Sequence, residues 1–165
     1  MIAKKMQDAL NGQINAELYS AYLYLAMVAY FESINLPGFA NWMRVQTGEE
    51  KTHAMKIYDF IIERGGRVAL EAIAKPTAEW KSPLAVFEAA YKHEQKITGL
   101  INDLLELAAK EKDHATGIFL QWFVTEQVEE EKNASEIVAK LQLLKDSAGS
   151  MFMLDKELGK RGAAK

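Results

Sequence analysis

Apolar residues recur along this chain in alternating steps of three and four, the repeat of a helix that buries one stripe. In the first such stretch, about 4–32, the seam runs Met6, Leu10, Gln13/Ile14, Glu17, Ala21, Tyr24, Val28 and Phe31. The pattern restarts at about 38–65, 83–110 and 114–144, and a short stretch at about 150–160 sets Met151, Leu154 and Leu158 on one side. The breaks carry the chemistry of helix ends. Pro37 and Pro83 suit first turns, Ser82 and Asp113 can accept hydrogen bonds from free backbone N–H groups, and Gly65-Gly66 is a strong stop. An all-α chain forming one domain over 1–165 is predicted.

Loop lengths set the topology. About five residues join the first helix to the second and the third to the fourth, so each pair forms an antiparallel hairpin. The segment from Gly66 to Lys81 holds 81 − 66 + 1 = 16 residues. Extended, it reaches roughly 50 Å, while a helix of about 28 residues measures roughly 42 Å. It can therefore cross the whole bundle, giving an up-down-down-up four-helix bundle with one long crossover and a short fifth helix.

Composition narrows the partners. The chain is 49% hydrophobic and 26% charged, with a net charge of −3. No basic tail or cationic face points to nucleic acid. No apolar run is long enough to span a membrane, and Met1-Ile2-Ala3-Lys4-Lys5-Met6-Gln7-Asp8 has no apolar secretory region. A cytoplasmic protein is expected. With no cysteine, disulfides, thiolate metal sites and iron–sulfur clusters are excluded.

The chemistry lies where the seams stop being apolar. The second helix presents Trp42/Met43, Gln46, Glu50, His53, Ile57 and Phe60; the third has Phe87, Ala90, Glu94, Ile97, Ile101, Leu104 and Ala108. On the fourth the seam is Thr116, Leu120, Phe123, Gln127, Glu130, Ala134, Ile137, Leu141 and Leu144. Counting from turns at residues 35 and 112, Glu17 and Glu94 each lie 18 residues back, while Glu50 to His53 and Gln127 to Glu130 lie 15 to 18 forward. All four helices bring polar groups to one layer. An offset of 77 relates Glu17 to Glu94, Glu49 to Glu126, Glu50 to Gln127 and His53 to Glu130, so the site has two nearly equivalent halves.

Buried carboxylates need protons, cationic partners or a metal, and few cations reach this layer because Lys51 and Lys132 fall off the seam. Glu50-x-x-His53 places an oxygen and an imidazole ligand on one helical face. An oxygen-rich set with one nitrogen suits iron or manganese better than a closed zinc site. A lone ExxH is weak evidence; four glutamates, a histidine and Gln127 at one level point to a pair of metal ions. Glu49, Glu126 and Glu129 lie one residue beside the seam, near enough for a third, more exposed oxygen site. Tyr24 either hydrogen-bonds the site, donates an electron or is a core aromatic, and Trp122 is equally open. Glu131 reads as part of a solvated charge run, His93 and His114 as surface residues, and the seven methionines as core filler.

Glu17, Tyr24, Glu50-x-x-His53, Glu94 and Gln127-x-x-Glu130 resemble the site of prokaryotic non-haem ferritins. Asn15-Ala16-Glu17-Leu18-Tyr19-Ser20-Ala21-Tyr22-Leu23-Tyr24 and Glu126-Gln127-Val128-Glu129-Glu130-Glu131 are characteristic of that group, and the similarity covers essentially the whole chain. The resemblance implies a ferritin-like bundle in which Glu17, Glu50 and His53 hold one iron and Glu50, Glu94 and Glu130 the other. Glu50 would bridge, Gln127 would lie nearby, and Glu49, Glu126, Glu129 and Glu130 would form a third iron site. It implies oxidation of Fe(II) by O2 or H2O2 and storage of ferric oxyhydroxide in a homo-oligomeric 24-subunit shell. The fourth helix lacks a second Glu-x-x-His, which looks like a transit site rather than a permanent di-iron cofactor. Lys51 stands where the haem-ligating methionine of bacterioferritins follows the ExxH glutamate, so no haem is expected. The alternatives are a peroxidase or oxygenase with a fixed di-iron centre, and a bundle whose polar layer only fixes register.

Overall fold

The computed structural model describes residues 1–144 and 147–162. It contains α1 Lys4–Ser33, α2 Pro37–Glu63, α3 Pro83–Lys110, α4 His114–Leu143 and α5 Ala148–Leu158, with no strand among the described residues. Three helices stop in the same way. Asn35, Gly65 and Lys112 take φ of 59°, 69° and 55°. The next residue's N–H then returns to a carbonyl five back, Leu36 to Phe31, Gly66 to Ile61 and Asp113 to Ala108. This ends α2 at Glu63, two residues before the 65 expected from the sequence. At the other ends Ser82, Asp113 and Ser147 accept from the N–H groups of Ala85, Thr116 and Ser150. The last of these starts α5 at Ala148 instead of the expected 150.

Paired contacts fix the directions. Across α1 and α3, Lys5 meets Glu111 and Tyr24 meets Glu94. Across α2 and α4, Gln46 meets Glu130 and Arg64 meets Asp113. In both pairs rising numbers on one helix meet falling numbers on the other, so each is antiparallel. The crossover runs along α1. Gln7 accepts from Arg67 N–H, Asn11 reaches Arg67 and Ala69, Asn15 reaches Glu71 and Ala72, and Trp80 sits 5.6 Å from Tyr30. Those side-chain amides satisfy backbone groups that an extended segment leaves open. The result is the up-down-down-up bundle that the loop lengths predict.

The core is split in two. One cluster, around Phe31, Phe39, Trp42, Phe87 and Leu141, fills the end reached by α5. Another, around Met6, Leu10, Ile57, Ile101 and Phe123, fills the opposite end. Between them lies the layer of buried Glu17, Glu50, His53, Glu94, Gln127 and Glu130.

α5 is fastened to the start of α2. Asp155 Oδ1 accepts from the N–H groups of Gly38 and Phe39, at 2.8 and 3.0 Å. It thereby supplies the acceptor that Leu36, with no side-chain cap, does not. A Cβ on Gly38 would stand 1.7 Å from the Asp155 carbonyl oxygen, so only glycine allows this approach. Replacing Asp155 by Ala should cost about 1–2 kcal/mol, and Gly38→Ala should unseat α5. Thermal unfolding combined with hydrogen exchange checks both, and unchanged protection of the α5 amides would contradict this account.

Candidate metal centre

The site starts from helical spacing. Residues three and four apart share a face, so Gln13 with Glu17, and Gln46 with Glu50 and His53, project into the bundle from α1 and α2. Glu94 enters from α3, Gln127 and Glu130 from α4. Each of the four carboxylates is at least 96% buried.

Neutral donors hold most of their oxygens. Gln13 Nε2 donates to Glu17 Oε1 at 2.8 Å. Gln46 Nε2 spans two helices, donating to Glu50 Oε1 at 3.2 Å and to Glu130 Oε2 at 2.6 Å. Tyr24 donates its hydroxyl proton to Glu94 Oε1, and Gln127 Nε2 donates to Glu94 Oε2 at 3.1 Å. One buried side-chain atom among the described residues has no partner: Glu17 Oε2. It belongs to a group in which one ligand atom from each of Glu17, Glu50 and His53 lies within 4.8 Å of the others. A second group of the same kind joins His53, Glu126 and Glu130. The imidazole stands between them, with Nδ1 3.4 Å from Glu50 Oε2 and Nε2 3.9 Å from Glu126 Oε1. An orphaned buried oxygen beside a carboxylate and an imidazole fits a multivalent cation.

Not every predicted ligand gathers. Glu94 is taken up by Tyr24 and Gln127. Glu49 Oε2 accepts from Arg161 Nη2 in an ion pair at 2.6 Å. Glu129 is exposed and joins neither group, because one residue along a helix turns it about 100° from Glu130. Glu131, read as part of a solvated run, is only half-exposed and accepts from the Thr98 hydroxyl at 2.6 Å.

Two expectations are corrected, the first that the methionines are core filler: Met1, Met55 and Met153 are exposed. His93 is not a surface residue: it is buried, with Nε2 2.7 Å from Ser20 Oγ. Because Ser20 gives its own proton to the Ala16 carbonyl, His93 Nε2 is the donor. Burial and the Lys96 charge lower its pKa to about 4, which keeps the ring neutral.

Sequence reasoning also passed over Gln13, Gln46 and Arg161 as parts of the site. Gln13 and Gln46 each stand four residues before a buried glutamate, which was the available signal. Trp122, its ring 5.4 Å from that of His53, lines a cavity of about 930 Å³ together with Glu49, His53, Glu126 and Arg161. This cavity leads from the layer to the surface, where Trp122 is 38% exposed.

Fold and site together define a ferritin-like domain, a four-helix bundle with a carboxylate-rich layer inside. The family model for that domain matches residues 7–144. Over 161 residues the chain is 45% identical to the bacterial non-heme ferritin of Bacteroides fragilis, covering 98% of this chain and all of that one. It is 37% identical to that of Staphylococcus aureus, over 98% and 97% of the two chains. Among solved structures, the open pore ferritin of Archaeoglobus fulgidus superposes with a TM-score of 0.97 at 58% identity over 98% of each chain. An engineered closed form of the Archaeoglobus fulgidus ferritin gives 0.99 at 57%, over 99% and 100%. The chain belongs to the prokaryotic non-haem ferritin family.

Electrostatics of the layer follow from burial. Desolvation raises the carboxyl pKa of Glu17, then the Glu50 charge adds to it. Glu50 is raised by burial and next by Glu94, while Glu94 is raised by burial against the opposing bonds from Tyr24 and Gln127. Glu130 is pushed from 4.5 to about 8, mainly by burial and then by Glu94. A group raised on folding contributes stability that is complete below its unfolded value and lost as pH climbs through its folded value. Metal-free protein should therefore lose thermal stability between about pH 4.5 and about pH 8. Glu130→Gln, which preserves the bond from Gln46, should flatten that slope; parallel melting profiles for the two proteins would refute the assignment.

Proposed function

We propose that this chain is an iron-storage ferritin with ferroxidase activity. It oxidises Fe(II) at an intra-subunit di-iron centre and stores ferric oxyhydroxide inside a homo-oligomeric shell, on the family pattern a 24-subunit one, in the cytoplasm. The observation that carries this reading is the partnerless Glu17 Oε2 in a fully buried group with Glu50 and His53. A layer meant only to fix helix register has no need of four buried carboxylates around an imidazole, a costly group that a multivalent cation would neutralise.

Fe(II) is the substrate. Glu17, Glu50 and His53 would hold one ion, and Glu50, Glu94 and Glu130 another, with Gln127 beside them. The outer carboxylates Glu49, Glu126 and Glu130 would hold a third, with Glu129 exposed beside them. Carboxylates favour Fe(III) over Fe(II), so clustering them makes each ion easier to oxidise. Two Fe(II) each give up one electron, and O2 with two protons becomes H2O2; with H2O2 as oxidant, two further protons yield two waters. The raised carboxyl pKa values supply protons locally, since each ion displaces the protons that burial retained. Tyr24, its hydroxyl bound to Glu94 and its own pKa raised by burial and by the Glu94 charge, stays a neutral donor. We assign it the role of positioning Glu94.

The deciding experiment is aerobic addition of Fe(II) to metal-free protein, following ferric absorbance and then the iron that stays soluble. Storage predicts soluble iron per chain far beyond what the ligand groups can hold. Oxidation that halts after two or three irons per chain would mean a fixed di-iron enzyme, and no acceleration over buffer would mean a structural layer. Glu50→Ala and His53→Ala should each lower the initial rate by at least about tenfold.

A further inference from the structure

The segment after α5 returns to the site. Asp155 anchors α5 on α2, and the next link is Asn41, whose Nδ2 donates to the Arg161 carbonyl at 2.9 Å and to that of Gly159 at 3.4 Å. The Arg161 side chain then lies along one face of α2. Its guanidinium carbon stands 4.3 Å over the Trp42 ring, Nη1 donates to Gln46 Oε1 at 2.9 Å, and Nη2 donates to Glu49 Oε2 at 2.6 Å. Arg161 and Glu49 side chains are only 20% and 16% exposed, so the pair is poorly screened. Lys56, the neighbouring cation on the cavity wall, is placed instead over Trp122, at 4.3 Å.

Two consequences follow from that geometry. Arg161 offsets the burial of Glu49: desolvation raises the Glu49 pKa, and Arg161 is the largest opposing influence. By taking Gln46 Oε1, it also forces the amide nitrogen of Gln46 toward Glu50 and Glu130. The arginine thus touches Glu49 directly, and Glu50 and Glu130 through one glutamine.

We propose that Arg161 is a tethered competitor cation for the outer metal site, holding Glu49 and Gln46 when no ion is present and giving Glu49 up when one arrives. This rests on the reading of Glu49, Glu126 and Glu130 as ion ligands. A multivalent cation at His53, Glu126 and Glu130 that recruits Glu49 competes for a carboxylate whose Oε2 the guanidinium already holds. Because the competitor is covalently attached, it acts at a high effective concentration whatever the solution contains. Arg161 is a positioning residue, and its effect is to weaken retention at the outer site so that ions pass through.

The test uses assembled, metal-free protein and Tb(III), a redox-inert oxygen-seeking cation whose luminescence is sensitised by the nearby Trp42 and Trp122. Arg161→Gln should tighten the outer class of Tb(III) sites by about tenfold, with Arg161→Lys falling between it and the parent. In a Glu49→Gln background the Arg161 substitution should have no effect on Tb(III) affinity. Filling the outer site in the parent protein should also speed hydrogen exchange at residues 160–162. Outer sites of equal or weaker affinity in Arg161→Gln, or a tail whose exchange does not change on filling, would overturn the proposal while leaving the outer metal site standing. Absence of any outer Tb(III) class in both proteins would overturn the metal reading of that site together with this one.

Discussion

Four carboxylates buried at one level of a helical bundle are the constraint on which the rest of this structure depends. An unpaired buried charge costs several kcal/mol, and the molecule meets that cost with neutral donors. Gln13, Gln46, Gln127 and Tyr24 cover the oxygens of Glu17, Glu50, Glu130 and Glu94. Burial retains protons on the acids that remain uncompensated, most clearly on Glu130. Neutral donors satisfy hydrogen-bonding capacity without cancelling the tendency of the layer to gather cations. The site is therefore stable enough to fold empty and still electrostatically short of positive charge.

Topology makes that compromise hold. The polar layer separates two apolar clusters, and each clamps the helices on its own side. Side chains in the layer cannot relax outward without disturbing close-packed aromatic contacts above, such as Trp42 on Phe87, or Phe60 on Phe119 below. The crossover pins α1 along much of its length through Gln7, Asn11 and Asn15, which fixes the height of Glu17. At the other end Asp155 serves two elements at once, completing the start of α2 and placing the tail that carries Arg161. The short α5 is thus part of the site's support.

Residues that share a helical seam were readable from spacing alone, because the period of a helix and the length of a loop are local properties. Glu17, Glu50, His53, Glu94, Gln127 and Glu130 come to one layer for that reason, as does the bundle topology. What escaped depends on groups brought from elsewhere. His93 lies beside the seam, and only the position of α1, with Ser20 facing it, turns a surface expectation into a buried hydrogen bond. Arg161 lies 112 residues from Glu49, and no periodicity links them. Glu49 and Glu129 looked alike as near-seam acids; the returning tail distinguishes them, engaging Glu49, while Glu129 points to solvent. Helix ends shifted where a single residue took positive φ, as at Gly65, a choice that hydrophobic patterning does not register.

The offset of 77 that relates the two hairpins suggests equivalent halves, yet the structure prepares them unequally. On the α1–α2 side Glu17 Oε2 has no neutral donor and Glu17 lies beside Glu50 and His53, so an arriving ion displaces there the proton that burial retains. On the α3–α4 side Glu94 is bound through both oxygens, by Tyr24 and Gln127, and Glu130 is held by Gln46. An ion there must first release neutral donors, each worth about 1 kcal/mol net and more when left buried without a partner. On the function proposed here, the two ions therefore meet different hydrogen-bond surroundings, with Glu94 the ligand most fully held by neutral donors. Gln46 links Glu50 and Glu130 to Arg161 and through it to Glu49, while His53, a ligand of the first half, is the inner ligand that lines the cavity beside Trp122. Unequal hydrogen bonding within a nearly symmetric ligand set is thus enough to make the two halves inequivalent.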